Sequence, residues 1–295
     1  MSRLNKVPLH PFLKWAGGKR WLAFSYRELL PPQFGSYFEP FLGGGAVFFS
    51  LMPDKAVLSD VNERLVDCYK QIRLDPDGFS ALMRKHQRAH SHQYYYETRK
   101  RRFRSPLKRA VQFLYLNRTC WNGLYRVNLD GVFNVPIGTK SSVVFEGESF
   151  QNYAAALKGV KIVTCDFEDT IARARRGDFL FVDPPYTVRH NFNGFAKYNE
   201  EIFRWADQIR LRKALDGAAS KGVKILMSNA HHDSVLELFS DLGTVHVVKR
   251  KSLIAGDASY RSRVTEIAIS VNYKTEQGSS SRAATRPTKS APSGR

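Results

Sequence analysis

The residues best suited to chemistry follow a short apolar run, Phe179-Leu180-Phe181-Val182, which ends in Asp183-Pro184-Pro185-Tyr186. The carboxylate of Asp183 and the carbonyls of Asp183 and Pro184 present hydrogen-bond acceptors in a fixed array, because a Pro-Pro backbone is stiff. Tyr186 adds a flat face for stacking. A planar base with an exocyclic amine fits this arrangement, since its two N–H groups can meet the acceptors. On these four residues alone, a merely rigid turn is an equal alternative.

The apolar run predicts the element that positions Asp183. Four consecutive apolar residues, two of them aromatic, are typical of a buried strand in a parallel sheet with helices on both faces. Proline then ends the strand, because it has no N–H to donate. Asp183 is therefore expected at the carboxyl end of a core strand, where open α/β sheets bind their ligands.

A glycine-rich loop forms a second group, Phe38-Glu39-Pro40-Phe41-Leu42-Gly43-Gly44-Gly45, between a predicted strand and a predicted helix. Such a turn lets the main chain lie against a nucleoside or an amino-acid group. A dinucleotide fingerprint would need glycine where Phe48 stands, and no Gly-Lys-Ser/Thr follows. The next predicted strand, 56–59, ends at Asp60, about where an acid would reach ribose hydroxyls. The pattern suits a single-nucleoside cofactor such as S-adenosylmethionine.

Two more segments are assigned to that pocket. Lys14-Trp15-Ala16-Gly17-Gly18-Lys19 combines an aromatic ring, a glycine pair and two lysines, which lets backbone and cation approach a ligand. A plain Gly-Gly turn before a helix near residues 21–30 is as good an interpretation of these residues alone. Further along, a predicted strand at 161–164 ends near Asp166-Phe167, which suits the adenine of the cofactor through a hydrogen bond and stacking.

Composition favours a polyanionic partner. The 295-residue chain has 46 Lys and Arg against 27 Asp and Glu, a net charge of +19, and its 43% hydrophobic residues can bury a sizeable core. Cys68, Cys120 and Cys165 form no Cys-x-x-Cys pair, which argues against a disulfide framework or a zinc site. His231-His232 lacks a spaced acid or cysteine, so no metal site is expected. With no membrane-length apolar run and no signal peptide, we expect a cytoplasmic protein.

The middle of the chain is predicted to be mainly helical. Apolar spacing predicts a helix from about Arg64 to Leu82, and residues 110–117 predict a buried helix. Between them, residues 84–109 contain many Lys and Arg, three consecutive tyrosines and Glu97 as the only acid. That stretch is either a solvated helix face or a surface that follows phosphates, and the global charge favours the second interpretation.

Residues 117–138 contain a hairpin signal at Asp130-Gly131 and side chains typical of DNA readout. Arg126 can bond a guanine edge, Asn122 can bond an adenine edge, and Trp121 can wedge into the base stack. Leu124 and Pro136 can contact a thymine methyl group. A hairpin that merely carries aromatic core residues is the alternative, but Trp121-Asn122-Gly123 is a turn sequence, which favours readout.

Taken together, four motifs in this order resemble the DNA adenine N6-methyltransferases of the Dam type, alpha class. They are Lys14 to Lys19, Phe38 to Gly45, the 117–138 hairpin and Asp183 to Tyr186, and the resemblance covers about residues 10–273. It implies an α/β fold, an S-adenosylmethionine-dependent methyltransferase (Rossmann-like) sheet with an inserted, mainly helical target-recognition domain carrying a β-hairpin. The catalytic and cofactor-binding domain is expected at 1–66 and 159–273 and the target-recognition domain at 67–158, with a disordered basic tail at 274–295.

The resemblance also assigns roles to residues. Asp183, Pro184, Pro185 and Tyr186 would hold the target adenine, and Trp121, Asn122, Leu124, Arg126 and Pro136 would read DNA. The expected cofactor contacts are Trp15, Lys19, Phe38, Pro40, Gly43, Gly45, Asp60, Asp166, Phe167 and Asp183.

The expected reaction is transfer of a methyl group from S-adenosylmethionine to adenine N6 in a short, specific double-stranded DNA sequence, after base flipping. It would serve restriction-modification or epigenetic regulation. The expected enzyme uses no metal, is a monomer or homodimer, and works at the nucleoid of a bacterium or on phage DNA. N4-cytosine methylation is the nearest alternative, since cytosine also has an exocyclic amine. A DNA-binding regulator that has lost catalysis is the alternative from another class.

Overall fold

The computed structural model describes residues 7–128, 131–189, 203–251 and 263–275. Seven strands in these ranges form one sheet: β1 (Tyr37–Glu39), β2 (Ala56–Asp60), β3 (Lys161–Thr164), β4 (Phe179–Val182), β5 (Lys224–Ala230), β6 (Thr244–Lys251) and β7 (Arg263–Val271). The α-helices in the same ranges are α1 (Arg20–Ser25), α2 (Ala46–Leu51), α3 (Glu63–Leu74), α4 (Pro76–Ala89), α5 (His92–Lys100), α6 (Pro106–Thr119), α7 (Phe150–Ala156), α8 (Phe167–Ile171), α9 (Trp205–Ser220) and α10 (Asp233–Phe239).

The sheet has the order β3-β2-β1-β4-β5-β7-β6. The first five strands in this order are parallel, whereas β7 runs antiparallel to both β5 and β6. From β1 the chain builds outwards to β2 and β3, then returns to place β4 and β5 on the other side. The strand order therefore reverses between β1 and β4, which makes their carboxyl ends the expected ligand crevice.

Strand β4 shows that both faces of the sheet are covered. Its four side chains are all buried, and they alternate between two hydrophobic clusters. Phe179 and Phe181 join the cluster that contains residues of α1 to α7, while Leu180 and Val182 join the one that contains residues of α8 to α10. The predicted buried strand and the predicted Rossmann-like fold class are confirmed, because an apolar run without alternation needs cover on both faces.

Two helix predictions were wrong in their extent. The helix expected from Arg64 to Leu82 is broken into α3 and α4 at Asp75, whose side chain accepts a hydrogen bond from Gly78 N and caps α4, with Pro76 at its first position. Proline is favoured there because its missing N–H would have no helical partner. The helix expected near residues 21–30 is α1 followed by a short 3-10 helix at Arg27–Leu29.

Residues 67–158 are mainly helical, and the division into two domains stays a prediction. Helix α3 crosses the predicted boundary at 66/67, and one hydrophobic cluster joins its buried residues to both sheet and helical side chains. Residues 110–119 of α6 are all buried, as expected for an anchoring helix. The predicted tail from 276 onwards, Asp130 of the hairpin turn and the loop residues at 190–202 and 252–262 lie outside the described residues.

Candidate active site

Asp183 leaves the carboxyl end of β4 beside the reversal in strand order, and four side chains from other elements surround it. Lys19 Nζ lies 2.8 Å from Asp183 Oδ1, and Ser228 Oγ donates to the same oxygen at 2.7 Å. Tyr186 OH donates to Glu266 Oε2 at 2.6 Å, and that oxygen lies 3.8 Å from Lys19 Nζ. These five residues are called the Asp183 cluster below.

Burial dominates the electrostatics of the Asp183 cluster. Lys19 and Glu266 are 3% and 2% exposed. Burial raises the pKa of Asp183, and the ion pair with Lys19 and the bond from Ser228 partly oppose that rise. Burial, reinforced by the charges of Asp183 and Glu266, also holds the pKa of Tyr186 well above its usual range. The phenol therefore stays protonated at neutral pH and donates a hydrogen bond to Glu266.

Lys19 ties the Asp183 cluster to the Gly17-Gly18 turn. Its ammonium also donates to Gly17 O at 2.6 Å, and it lies 4.7 Å from the centre of the Tyr186 ring. A cation over an aromatic face is attracted by the ring quadrupole. Lys19, which lies far from Asp183 and Tyr186 in the sequence, thus forms one contact group with them, while Pro184 is buried and Pro185 half-buried beside them.

The glycine-rich loop packs against Trp15 and Asp60. Gly43 N donates to Asp60 Oδ2 at 3.1 Å, and Asn62 N donates to Asp60 Oδ1 at 3.0 Å. Gly43 has φ +45°, and a Cβ there would come within 2.7 Å of the Trp15 ring. The glycine is therefore required by the approach of Trp15 as well as by its backbone conformation. Burial raises the pKa of Asp60, although the backbone N–H bonds oppose that rise.

The other predicted cofactor contacts lie in or near the same loop, each held by a different interaction. Phe167 stacks on Phe41 of the loop, with ring centroids 5.4 Å apart, while Asp166 caps α8 and pairs with Arg210 at 3.0 Å. Phe38 and Pro40 are buried in the strand and turn that lead into the loop. Gly45 has φ +64°, and a Cβ there would meet Tyr69 OH at 2.9 Å.

In the hairpin segment, residues 117–138, most side chains that are predicted to contact DNA bases are exposed to solvent. Trp121 is 53% exposed, and Asn122, Arg126 and Pro136 are also exposed, while Leu124 is half-buried. Trp121 N donates to Pro136 O at 3.0 Å and Asn134 N to Arg126 O at 3.2 Å, so the two arms run antiparallel. The predicted turn at Trp121-Asn122-Gly123 is a single 3-10 turn, with Asn122 at φ +54°.

Asn117, near the end of α6, joins the hairpin segment to residues 14–19, called the Trp15 loop below. Its side chain accepts from Lys14 N at 3.0 Å and donates to Lys14 O at 2.7 Å and Gly123 O at 3.1 Å. Trp15 in turn stacks on Tyr125, with centroids 5.8 Å apart and planes 21° apart. The backbone that carries the reading residues is therefore fixed directly to the loop that carries Trp15.

Sequence reasoning missed three buried polar residues of this region. Ser228 follows the apolar residues of β5, as Asp183 follows those of β4, so its place at a strand end was a usable signal. Glu266 is the only acid in β7 and directly precedes the apolar residues 267–269, so its position was also a usable signal. Glu39 is buried at the end of β1 and accepts from Tyr37 OH at 2.9 Å, and burial holds its pKa well above its usual range.

The described residues offer neither a metal site nor a membrane span. They contain no group of three or more His, Cys, Asp or Glu side chains that could hold a metal ion. His231 and His232 instead bond Thr265 and Ser234. In the same part of the chain, every helix is too short or too polar to cross a bilayer.

Comparison with known proteins supports the same activity that the motifs predicted. The chain is 38% identical to the type II methyltransferase M1.LlaDCHI of Lactococcus lactis subsp. cremoris, over 91% of this chain and 97% of that protein. It is 34% identical to the type II methyltransferase M.MjaIII of Methanocaldococcus jannaschii, over 90% and 100%. It is 31% identical to the DNA adenine methylase of Escherichia coli K12, over 87% and 93%.

The family model for D12 class N6 adenine-specific DNA methyltransferases matches residues 15–254, which include the Trp15 loop, the glycine-rich loop, the hairpin segment and Asp183. The predicted function, methylation of adenine N6 in DNA, is confirmed, and so is the predicted type of enzyme. The alternatives of an N4-cytosine enzyme and of a silent DNA-binding regulator are not supported. The chain belongs to the D12 class of N6 adenine-specific DNA methyltransferases.

Proposed function

We propose that this enzyme takes its methyl group from S-adenosylmethionine and transfers it to an adenine that has been flipped out of a double-stranded DNA site into the crevice at Asp183. The observation that carries the proposal is the Asp183 cluster. It places a half-buried carboxylate, a lysine and a tyrosine ring at the reversal in strand order, next to the glycine-rich loop.

Asp183 and Pro184 would act on the amine electrostatically. The lone pair of adenine N6 is delocalised into the ring, so the amine is a weak nucleophile. Acceptors on both N–H bonds localise that pair and stabilise the positive charge that grows on N6. Asp183 Oδ and the Pro184 carbonyl supply these acceptors, and Tyr186 stacks on the base. S-adenosylmethionine, when bound, would supply the methyl group on a sulfonium, from which a neutral thioether leaves as the N–C bond forms, and the methylated amine then loses its extra proton to solvent.

The residues around Gly43 fit such a cofactor. The Asp60 carboxylate at the end of β2 is held by two backbone N–H groups, a geometry suited to ribose hydroxyls. Phe167 stacks on Phe41 of the glycine-rich loop and the Trp15 ring lies against Gly43, so both supply apolar faces beside the loop. We assign the cofactor to this pocket, with Phe38, Pro40, Gly45 and Asp166 shaping its walls.

The hairpin segment and the neighbouring helices would hold the DNA. Tyr95 OH and Arg99 Nη1 donate hydrogen bonds to Val135 O at 2.9 and 3.0 Å, and these bonds connect α5 to the hairpin segment. Exposed cations continue from α5 into α6, an arrangement suited to phosphates that flank the target site. They are Lys100, Arg101, Arg102, Arg104 and Lys108.

Several assignments follow from this function. Residues 1–66 and 159–273 form the catalytic and cofactor-binding domain, and 67–158 the target-recognition domain. The enzyme acts in the cytoplasm, at the bacterial nucleoid or on phage DNA. It acts as a monomer or homodimer. Its curated relatives come from bacteria, an archaeon and a phage.

The test is label transfer with pure protein. Unmethylated plasmid and S-adenosylmethionine labelled in its methyl group are incubated with the enzyme, and the DNA is digested to nucleosides. We expect the label in N6-methyladenine, at one short sequence when modified bases are mapped. In calorimetry, Asp60→Ala should weaken S-adenosylmethionine binding about tenfold, because a charged hydrogen-bond acceptor is lost. Asp169→Ala, an exposed acid on α8, is the matched control. Unchanged affinity in Asp60→Ala would remove Asp60 from the pocket.

A further inference from the structure

Glu266 contacts the Asp183 cluster from β7, which lies two strands away from β4 in the sheet. It lies on β7, which pairs with Ala230 of β5 on one side and with Val248 of β6 on the other. Its side chain is 2% exposed and accepts the hydrogen bond from Tyr186 OH at 2.6 Å. Eighty positions along the chain separate Glu266 and Tyr186, so this bond is formed only by the fold.

Tyr186 itself stands on backbone that the sheet does not support. Residues 183–188 belong to no strand or helix, whereas Glu266 lies within a strand paired on both edges. The phenol is thus held at its tip by the rigid sheet, while its ring lies under the ammonium of Lys19. A side chain with two torsions is fixed when both its base and its tip are held.

We propose that Glu266 is a positioning residue for methyl transfer, which fixes the ring plane of Tyr186 relative to the acceptor oxygens of Asp183. The proposal rests on the roles proposed above for Asp183 and Tyr186. A stacking ring that is free to tilt lets the adenine tilt with it, and the amine then leaves the line between the acceptors and the methyl group. Misplacement by about 1 Å at a reacting centre can lower a rate about a hundredfold.

The same oxygen of Glu266 lies 3.8 Å from Lys19 Nζ, so the carboxylate also borders the cation that pairs with Asp183. The glutamate therefore contacts both side chains whose orientation determines the position of Asp183 and of the stacking ring. It need not touch the substrate to do so.

The test compares turnover in four variants with wild type. Tyr186→Phe keeps the ring and removes its bond to Glu266, Glu266→Gln keeps an acceptor for the phenol, and Glu266→Ala removes it. We expect kcat to fall about tenfold in Tyr186→Phe and in Glu266→Ala, with KM for DNA and for S-adenosylmethionine unchanged within about twofold. Glu266→Gln should stay within about threefold of wild type. The double variant Tyr186→Phe/Glu266→Ala should be no slower than Tyr186→Phe.

Ser270→Ala is the matched control, since Ser270 lies on the same strand and bonds His246 rather than the Asp183 cluster. It should keep wild-type kcat, and thermal unfolding monitors whether each variant is folded. Wild-type kcat in Tyr186→Phe would overturn the proposal even if Glu266→Ala fails to fold. Losses that multiply in the double variant would overturn it as well, because the two residues would then act separately.

Asp183→Ala in the same assay separates this inference from the proposed function. If Asp183→Ala keeps its turnover, the proposed site itself fails. If Asp183→Ala is inactive while Tyr186→Phe is as fast as wild type, only the role of Glu266 fails.

Discussion

The Asp183 cluster and the hairpin segment place their polar side chains in opposite ways. In the cluster, charged side chains are withdrawn from solvent and bonded to one another, as in the pair of the buried Lys19 and the half-buried Asp183. In the hairpin segment, backbone bonds hold the arms together and the polar side chains point outward. Charge stabilisation is stronger and better fixed in a low-dielectric site, whereas base edges are reached only by exposed side chains.

Because the polar groups are enclosed in one region and exposed in the other, mutations should affect catalysis and sequence readout separately. Changes in the Asp183 cluster should alter turnover with little effect on sequence choice, and changes at the exposed reading residues of the hairpin segment should do the reverse. Asn117, which connects the hairpin to the Trp15 loop, should affect both.

Asp183→Ala should give the largest effect. The variant loses the carboxylate that accepts from the amine, so we expect kcat to fall about 100- to 1000-fold. DNA affinity, measured by fluorescence anisotropy, should change less than about threefold, because the exposed hairpin is untouched. Near-normal turnover would show that Asp183 has no part in the mechanism. It would also contradict the expectation that the Asp183 cluster, unlike the hairpin segment, controls turnover.

Asn117→Ala should weaken the connection between the regions. The substitution leaves Lys14 N, Lys14 O and Gly123 O without their present partner at a residue that is 1% exposed. We expect a loss of about 2–4 kcal/mol in the free energy of unfolding, measured by urea denaturation, because buried polar groups lose their bonds. Cofactor affinity and sequence choice should both decline.

Thr139→Ala, at an exposed position directly after the hairpin segment, is the control for that loss of stability. It should change the free energy of unfolding by less than about 0.5 kcal/mol. A normal free energy of unfolding and normal cofactor binding in Asn117→Ala would show that the two regions are held independently.

Arg126→Ala should relax sequence choice at one base pair by about 1–3 kcal/mol while kcat at saturating DNA stays near wild type. Its guanidinium is exposed, and Nε bonds Asn134 Oδ1 at 2.9 Å, which orients the group. The measurement is relative kcat/KM on duplexes with single substitutions in the site. Arg102→Ala, an exposed cation of the basic stretch, should weaken all duplexes alike, and the same uniform loss in Arg126→Ala would mean that Arg126 contacts only phosphate.

Ser228→Ala should give the smallest effect, a shift in pH dependence. The bond from Ser228 lowers the pKa of Asp183, against the rise caused by burial. The acceptor role needs the ionised carboxylate, so activity is lost as pH falls through the pKa of Asp183. Removing the serine hydroxyl raises that pKa, and the acid limb of kcat should move to higher pH. A limb that stays in place would show that another group controls it.

Most of the site's own segments were predictable because each signal is local. The apolar run of β4 followed by Asp-Pro-Pro-Tyr, the glycines between β1 and α2, and the turn at Trp121-Asn122-Gly123 all act within a few residues. The break between α3 and α4 was equally local, since Asp75-Pro76 is a helix start signal, and it was overlooked in favour of the apolar spacing. The separate roles of Asp183 and of Arg126 stay predictions for the experiments above.

The sequence by itself determined a basic α/β methyltransferase, the strand that ends at Asp183 and the hairpin that carries Arg126, because periodicity, turn residues and charge are properties of short segments. Only the tertiary structure decided which distant groups meet. Glu266 reaches Tyr186 because β7 inserts antiparallel between β5 and β6, and Asn117 reaches Lys14 across 103 positions because α6 packs beside the first loop. A buried polar side chain must find a partner, and which partner it finds depends on how the whole sheet and its helices pack.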